Sequence, residues 1–179
     1  MITILAPAGL DGAPLADLKQ WLAITTTQDD ALLLDLLASA HTMCHRFTGL
    51  VPQTCEVTET VAVRERELSF GARPVVAFIE AVAIDHTLAR RVLADAEARF
   101  ELTGDGGAVL VLDRPLAEPQ VELTYRAGRA DSWNRIEDGL RHGIVRFAAH
   151  LYRLRDDAVS DRLPAAVAAL WQPYRRMRL

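Results

Sequence analysis

Apolar positions recur at helical spacing twice before residue 50. Leu15, Leu18 and Leu22 fall three and four apart, the interval that places side chains on one helix face. Pro14 suits a first turn, so a short helix is predicted to open there. Thr25–Thr27 interrupt it. A second helix is predicted from about Gln28 to Thr48, with Leu33, Leu36, Leu37, Ala40, Cys44 and Phe47 as its stripe. Thr26 or Thr27 is the expected cap, Asp29 and Asp30 suit its positive end, and Gly49 is the natural stop. Helical sequence thus spans 14–48 as a hairpin. The preceding ILAPAGLDGAP is rich in Pro and Gly and predicts a loop.

From Val51 the period changes to two. CEVTETVAV alternates as a half-buried strand does, with Cys55 opening it. RELSF, a Gly71–Pro74 turn and VVAFIEAVAID predict two more strands. Residues 90–102 fit either a helical turn or a hairpin. TGDGG (Thr103–Gly107) is a turn signal between strands. AVLVLD and QVELTYRAG are further strands, and Gly128 is expected at positive φ where the chain leaves the last one. The block 51–128 therefore predicts about six short strands with local connections, an antiparallel sheet or small sandwich.

Helical spacing returns over 133–155, where Ile136, Leu140, Ile144, Phe147, Ala148 and Leu151 line one face, with Asp131 or Ser132 as the cap. DDAVSDRLP reads as a polar linker. An Ala-rich helix follows, then Trp171, Pro173, Tyr174, three arginines and Leu179. This segment reads either as a terminal helix docked on its own domain or as an arm that serves assembly. The expected fold class is α+β. An N-terminal helical hairpin and a long C-terminal helix flank an inserted antiparallel β block, giving a body over 1–160 and a C-terminal arm over 161–179.

At 179 residues, half of them apolar, the chain predicts one compact body with a real core. The formal charge of −4 makes no general case for nucleic-acid binding. Charge is uneven, however. Residues 1–60 carry Lys19 and Arg46 against seven acids, whereas 131–179 carry nine arginines against six acids. Acidic and basic ends favour attraction between copies in an oligomer. Cys44 and Cys55 do not make a disulfide framework, so a reducing compartment is the default. No signal peptide is expected, and no stretch approaches the about 18 apolar residues of a membrane span.

Candidate chemistry is sparse. HTMCH sets His41 and His45 one turn apart with Cys44 between them, a spacing that suits zinc. It lacks the glutamate of an HExxH site, and Cys44 lies on the apolar stripe. A third ligand would have to come from Cys55, His86, His142 or His150. His142 and His150 share a side of the long helix with Arg146 and Arg153, either as a ridge for phosphates or as a solvated face. TGDGG lacks the Lys and Ser/Thr of a Walker loop. Ser39, Ser69, Ser132 and Ser160 lie in no G-x-S-x-G context. GLRHG (139–143) and RAGR carry no chemical signature. No catalytic residue, cofactor site or metal site is assigned.

The order of the pieces is more informative. LADLKQWLAITTTQDDALLLDLLASAHTMCHRFTG resembles the opening of the head–tail connector (adaptor) proteins of long-tailed bacteriophages, a family with prophage and gene transfer agent members. There, a short helix, a D-D turn and a long helix ending F/Y-T-G precede a strand-rich insert. The matching residues are Leu18, Leu22, Asp29, Asp30, Leu33, Leu36, Ala40, Phe47, Thr48 and Gly49. VELTYRAG looks like the family's Y-x-A-G strand, and FAAHLYRLRD like its A-x-x-L-Y-x-x-R helix. LWQPYRRMRL is similar to its L-L-x-P-Y-R-x-x-R-L terminus. The V-P before the last helix is here Leu163–Pro164 after a longer polar stretch, and the strand–Pro segment near Arg73–Pro74 fits loosely.

The resemblance implies a structural, non-enzymatic protein of the virion neck, assembled in the host cytoplasm. It would form a ring, commonly of twelve copies, under the portal protein. That ring extends the channel for DNA, which is only passing cargo, and offers a platform to the next neck (stopper) protein. The arm would bind the portal through Trp171, Pro173, Tyr174, Arg175, Arg176, Met177, Arg178 and Leu179. Other readings are a stopper or tail-terminator neck protein, a metal-dependent enzyme using His41 and His45, and a DNA-binding packaging factor. No membrane partner is implied.

Overall fold

The computed structural model describes residues 2–4, 9–154 and 163–175. The chain is α+β. In order it runs β1 (Ile2–Ile4), α1 (Ala13–Leu22), α2 (Asp30–Thr48), β2 (Cys55–Ala62), β3 (Glu67–Ser69), β4 (Val75–Ile84), β5 (Arg90–Val92), β6 (Ala98–Leu102), β7 (Ala108–Leu112), β8 (Gln120–Ala127), α3 (Asp138–Arg153) and α4 (Ala165–Trp171). It packs as two compact units. One holds Met1–Leu5 and Thr54–Gly128, the other Ala6–Gln53 and Arg129–Leu179.

The sheet unit contains a five-stranded sheet, β1-β2-β8-β4-β5, and a three-stranded one, β3-β7-β6, with antiparallel pairing throughout among the described residues. Residues 90–102 form neither a helical turn nor a hairpin: β5 pairs with β4 and β6 with β7, in different sheets. Ile2–Ile4, the last of them expected as the start of a loop, pair with Val57–Glu59. A strand this short has no pattern of its own; only the edge of β2 defines it. Phe70 lies at the centre of an aromatic cluster, edge-on to Tyr125 at 4.7 Å and to Phe100 at 5.7 Å. Phe78 stacks on Phe100 at 5.4 Å.

Glu59 is buried in this unit. Its Oε1 accepts from the Gly71 N–H (2.8 Å) and from the Tyr125 hydroxyl (3.1 Å), and that hydroxyl in turn accepts from the Ala72 N–H (2.9 Å). Burial raises the Glu59 pKa against the pull of these donors. The network pins the Gly71–Ala72 turn onto β2 and β8. Tyr125→Phe strands the Ala72 N–H and one carboxylate bond, and should cost about 1–3 kcal/mol. Chemical denaturation checks this, with an unchanged far-UV spectrum as the control.

In the helical unit, α1, α2, α3 and α4 share one core: Leu18, Leu33, Leu37, Ala40, Cys44, Leu140, Ile144, Phe147, Ala148, Val167 and Trp171. Gly49 ends α2 at φ +74, as the cap requires. The expected Thr26/Thr27 cap is corrected: Asp29 is the N-cap without a side-chain cap bond, and the Thr27 carbonyl accepts from the Asp30 N–H. Lys19 bonds Asp30 at 2.6 Å, tying α1 to the start of α2. The long helix begins later than expected. Trp133–Arg135 form a separate 3-10 turn after Ser132, Ile136 and Glu137 are extended, and α3 starts at Asp138. The break lets Trp133 donate its indole N–H to Asp17 on α1 at 2.8 Å. Of the expected linker over 156–164, residues 156–162 lie outside the described residues, as does Arg155 before it.

Candidate functional site

The most chemically loaded surface of the helical unit is where its C-terminal segment meets α2 and α3. Gly139 and Gly143 stand one turn apart on α3, the spacing that leaves a continuous notch along a helix face. A Cβ on Gly143 would lie 2.1 Å from the Trp171 indole nitrogen, and one on Gly139 would lie 2.9 Å from the Tyr174 hydroxyl oxygen. The notch is filled by these two rings. With no side chain in the way, Trp171 reaches the backbone and donates its N–H to the Leu140 carbonyl at 3.3 Å. Phe47 of α2 and Phe147 of α3 flank it, each with its ring centroid 6.1 Å away. Trp171 is fully buried.

Directly after it, Gln172–Tyr174 form a 3-10 turn, with Pro173 at its second position, that brings Tyr174 over Gly139. Burial, then the Glu137 carboxylate beside it, raises the Tyr174 pKa. Glu137 also pairs with Arg129. Arg175 lies over the Phe47 ring at 5.6 Å, a cation–π contact.

Of the two readings of this segment, these positions favour the terminal helix docked on its own unit. Val167 and Trp171 are core residues, because a seven-residue helix is too short to hold alone and must bury its i, i+4 pair. Trp171 is packed inside this unit. Pro173 and Arg175 are exposed, and Tyr174 is half-buried. Arg176, Met177, Arg178 and Leu179 lie outside the described residues. The signal for this docking in the sequence is the Gly-x-x-x-Gly of residues 139–143, a spacing that carries no chemistry of its own.

The histidines separate. His41 is 5% exposed, its Nε2 has no partner, and its ring tilts against Trp133 at 5.6 Å. Burial lowers its pKa to about 4. His45 is also lowered, first by burial, although a Leu50 backbone bond opposes the shift. Cys44 is pushed up to about 12 by burial and Cys55 to about 11, so both thiols stay protonated at neutral pH. Among the described residues, no three His, Cys, Asp or Glu side chains gather as a metal site.

His142 and Arg146 turn to another task. His142 meets the exposed Trp21 ring of α1 edge-on at 5.2 Å, and the Arg146 guanidinium lies over the same ring at 5.9 Å. His150 stacks on Phe147 instead, so the four expected ridge residues do not act as one row.

No protein-family model matches the sequence, and no curated protein matches it. Solved structures do. The chain is similar to one in the neck of an empty GTA particle computed with C6 symmetry, at 20% identity and a TM-score of 0.77. It is similar to one in the neck of a native GTA particle computed with C12 symmetry, at 21% identity and 0.73. A third is a chain of the virion of a native gene transfer agent (GTA) particle, at 21% and 0.72. Each match covers 100% of this chain and 97% of the other. The chain has the fold of these proteins.

Proposed function

We propose that this chain is a structural, non-enzymatic protein of the head–tail neck of a phage or gene transfer agent particle. Within that neck it acts as the adaptor. Many copies form a ring under the portal, extend the DNA channel and carry the next neck protein. The supporting observation is a shared fold from end to end with chains of GTA necks computed in six- and twelvefold symmetry. The order of motifs along the sequence supports the adaptor role in particular. The protein is then placed in the virion neck, after assembly in the host cytoplasm.

In this reading the C-terminal segment divides in two. Trp171 and Tyr174, seated on Gly143 and Gly139, hold its root. The residues that meet the portal are Pro173 and Arg175 with Arg176, Met177, Arg178 and Leu179. Their three arginines would pair with portal carboxylates, and Arg is among the residue types that dominate interfaces. Deleting 176–179 should leave folding intact and weaken portal binding at least about tenfold, since truncating a charged anchor costs on the order of 2 kcal/mol. Co-purification with the portal of the same gene cluster, followed by negative-stain imaging, tests the whole reading. A ring of this chain on the portal's narrow end supports it. Binding to tail components with no portal binding would replace it with the stopper or terminator role.

A further inference from the structure

Among the described residues, β4 exposes two aliphatic side chains, Val76 at 54% and Ile79 at 45%. They are the two residues that the bulges of this strand push out of register. Val75 pairs with Ala127 and Ala77 with Arg126, leaving Val76 over; Phe78 pairs with Tyr125 and Glu80 with Thr124, leaving Ile79 over. A bulge re-aims a side chain, and bulges recur as built features rather than defects. Aiming aliphatic groups at water gives up the stabilisation that burying each one contributes. Among the described residues, no strand pairs with Val76–Glu80 on the side away from β8, because β5 pairs only with Val82–Ile84. Bulges at a free edge discourage the addition of another strand, so the surface is shaped for side-chain docking. Glu80 beside them is exposed.

The helical unit has a counterpart. Trp21 is its exposed large apolar side chain among the described residues. His142 and Arg146 hold the ring from two sides, so little side-chain freedom remains to be lost on binding. Arg146 joins no ion pair among the described residues, and neither does Glu80.

We propose that the two patches are the two sides of one contact between successive copies of this chain. Trp21, His142 and Arg146 of one copy receive Val76, Ile79 and Glu80 of the next. Each side supplies an apolar centre with a charge at its rim, the usual anatomy of an interface. The charges are opposite, both locally and over the units. The sheet unit carries thirteen acids against eight arginines, and the helical unit eleven acids against twelve bases. Two different surfaces on one chain make a head-to-tail contact, the type that generates a closed ring when its rotation closes. The inference rests on the ring reading given above and names the residues that join its subunits.

The test uses the full-length chain assembled on portal rings from the same gene cluster, carrying Trp21→Cys and Ile79→Cys together, with a short thiol–thiol cross-linker. A ladder of covalent multimers is expected from the double variant, and nothing beyond dimers from either single variant. Rings seen by negative stain without a ladder overturn this contact and leave the ring reading standing. A wild-type chain that never forms rings overturns both. A charge exchange gives a second readout at two residues that lie outside the buried core. Arg146→Glu and Glu80→Arg should each weaken self-association about tenfold, and the two together should restore it. A combined variant no better than either alone overturns the pairing.

Discussion

Replacing Trp171 with alanine is expected to destabilise the helical unit by about 3–5 kcal/mol, the range for emptying a buried aromatic site. That is at least about a fifth of the roughly 5–15 kcal/mol that stabilises an ordinary domain. The loss has three sources. The ring fills the Gly143 notch with no solvent exposure. It packs between Phe47 and Phe147. Its N–H also satisfies a bond to the Leu140 carbonyl that alanine cannot make. Gly143→Leu should do comparable damage from the other side, because even its Cβ would fall 2.1 Å from the indole nitrogen. Urea denaturation measures both. The contrast with deletion of 176–179 is the sharp part: a detached arm would lose Trp171 without losing stability. A Trp171→Ala protein as stable as the wild type would mean that α4 is not part of the core.

Acidification should destabilise the protein through His41 by on the order of 3 kcal/mol between neutral pH and pH 4. The folded-state pKa, about 4, lies below the usual value of 6.5, because the ring is buried with no partner at Nε2. Above pH 6.5 both folded and unfolded states are neutral there, and the group has no effect. As pH falls below 6.5, the unfolded chain takes a proton that the folded chain refuses, so stability declines until about pH 4 and then levels off. His45 acts in the same direction. Glu59 acts in the opposite one: its raised pKa means that the folded state gains a proton more readily as pH falls. His41→Leu, close in volume, isolates the effect. Chemical denaturation across pH 4–7 should give a slope for wild type that the variant lacks. Parallel profiles would show that His41 is hydrated enough to titrate normally.

Local chemistry wrote much of the fold into the sequence. The α2 stripe was readable because Leu33, Leu37, Ala40 and Cys44 repeat at 3.6-residue spacing and Gly49 stops the helix. On α3, Leu140, Ile144, Phe147 and Ala148 bury as their spacing predicts, and Ile136 buries from the extended link before the helix. The period-two runs located β2 and β8, and the Gly-rich turn fixed the join between β6 and β7. These features depend on neighbours within a few residues, which is why a single sequence displays them.

Three features depended on partners far along the chain. The Trp171 docking joins residues 139–143 to 171–174, and nothing near Trp171 says which helix will have a notch for it. The burial of His41 is set by Trp133, which meets it only after the intervening β block has folded out and the chain has returned. The bulges at Val76 and Ile79 exist only in register with β8, since a bulge is a mismatch between two strands. By itself, the sequence determined the elements, their order and their inward faces. Only the tertiary structure decided that the C-terminal helix belongs to the core, and which few side chains were left outside it to meet another molecule.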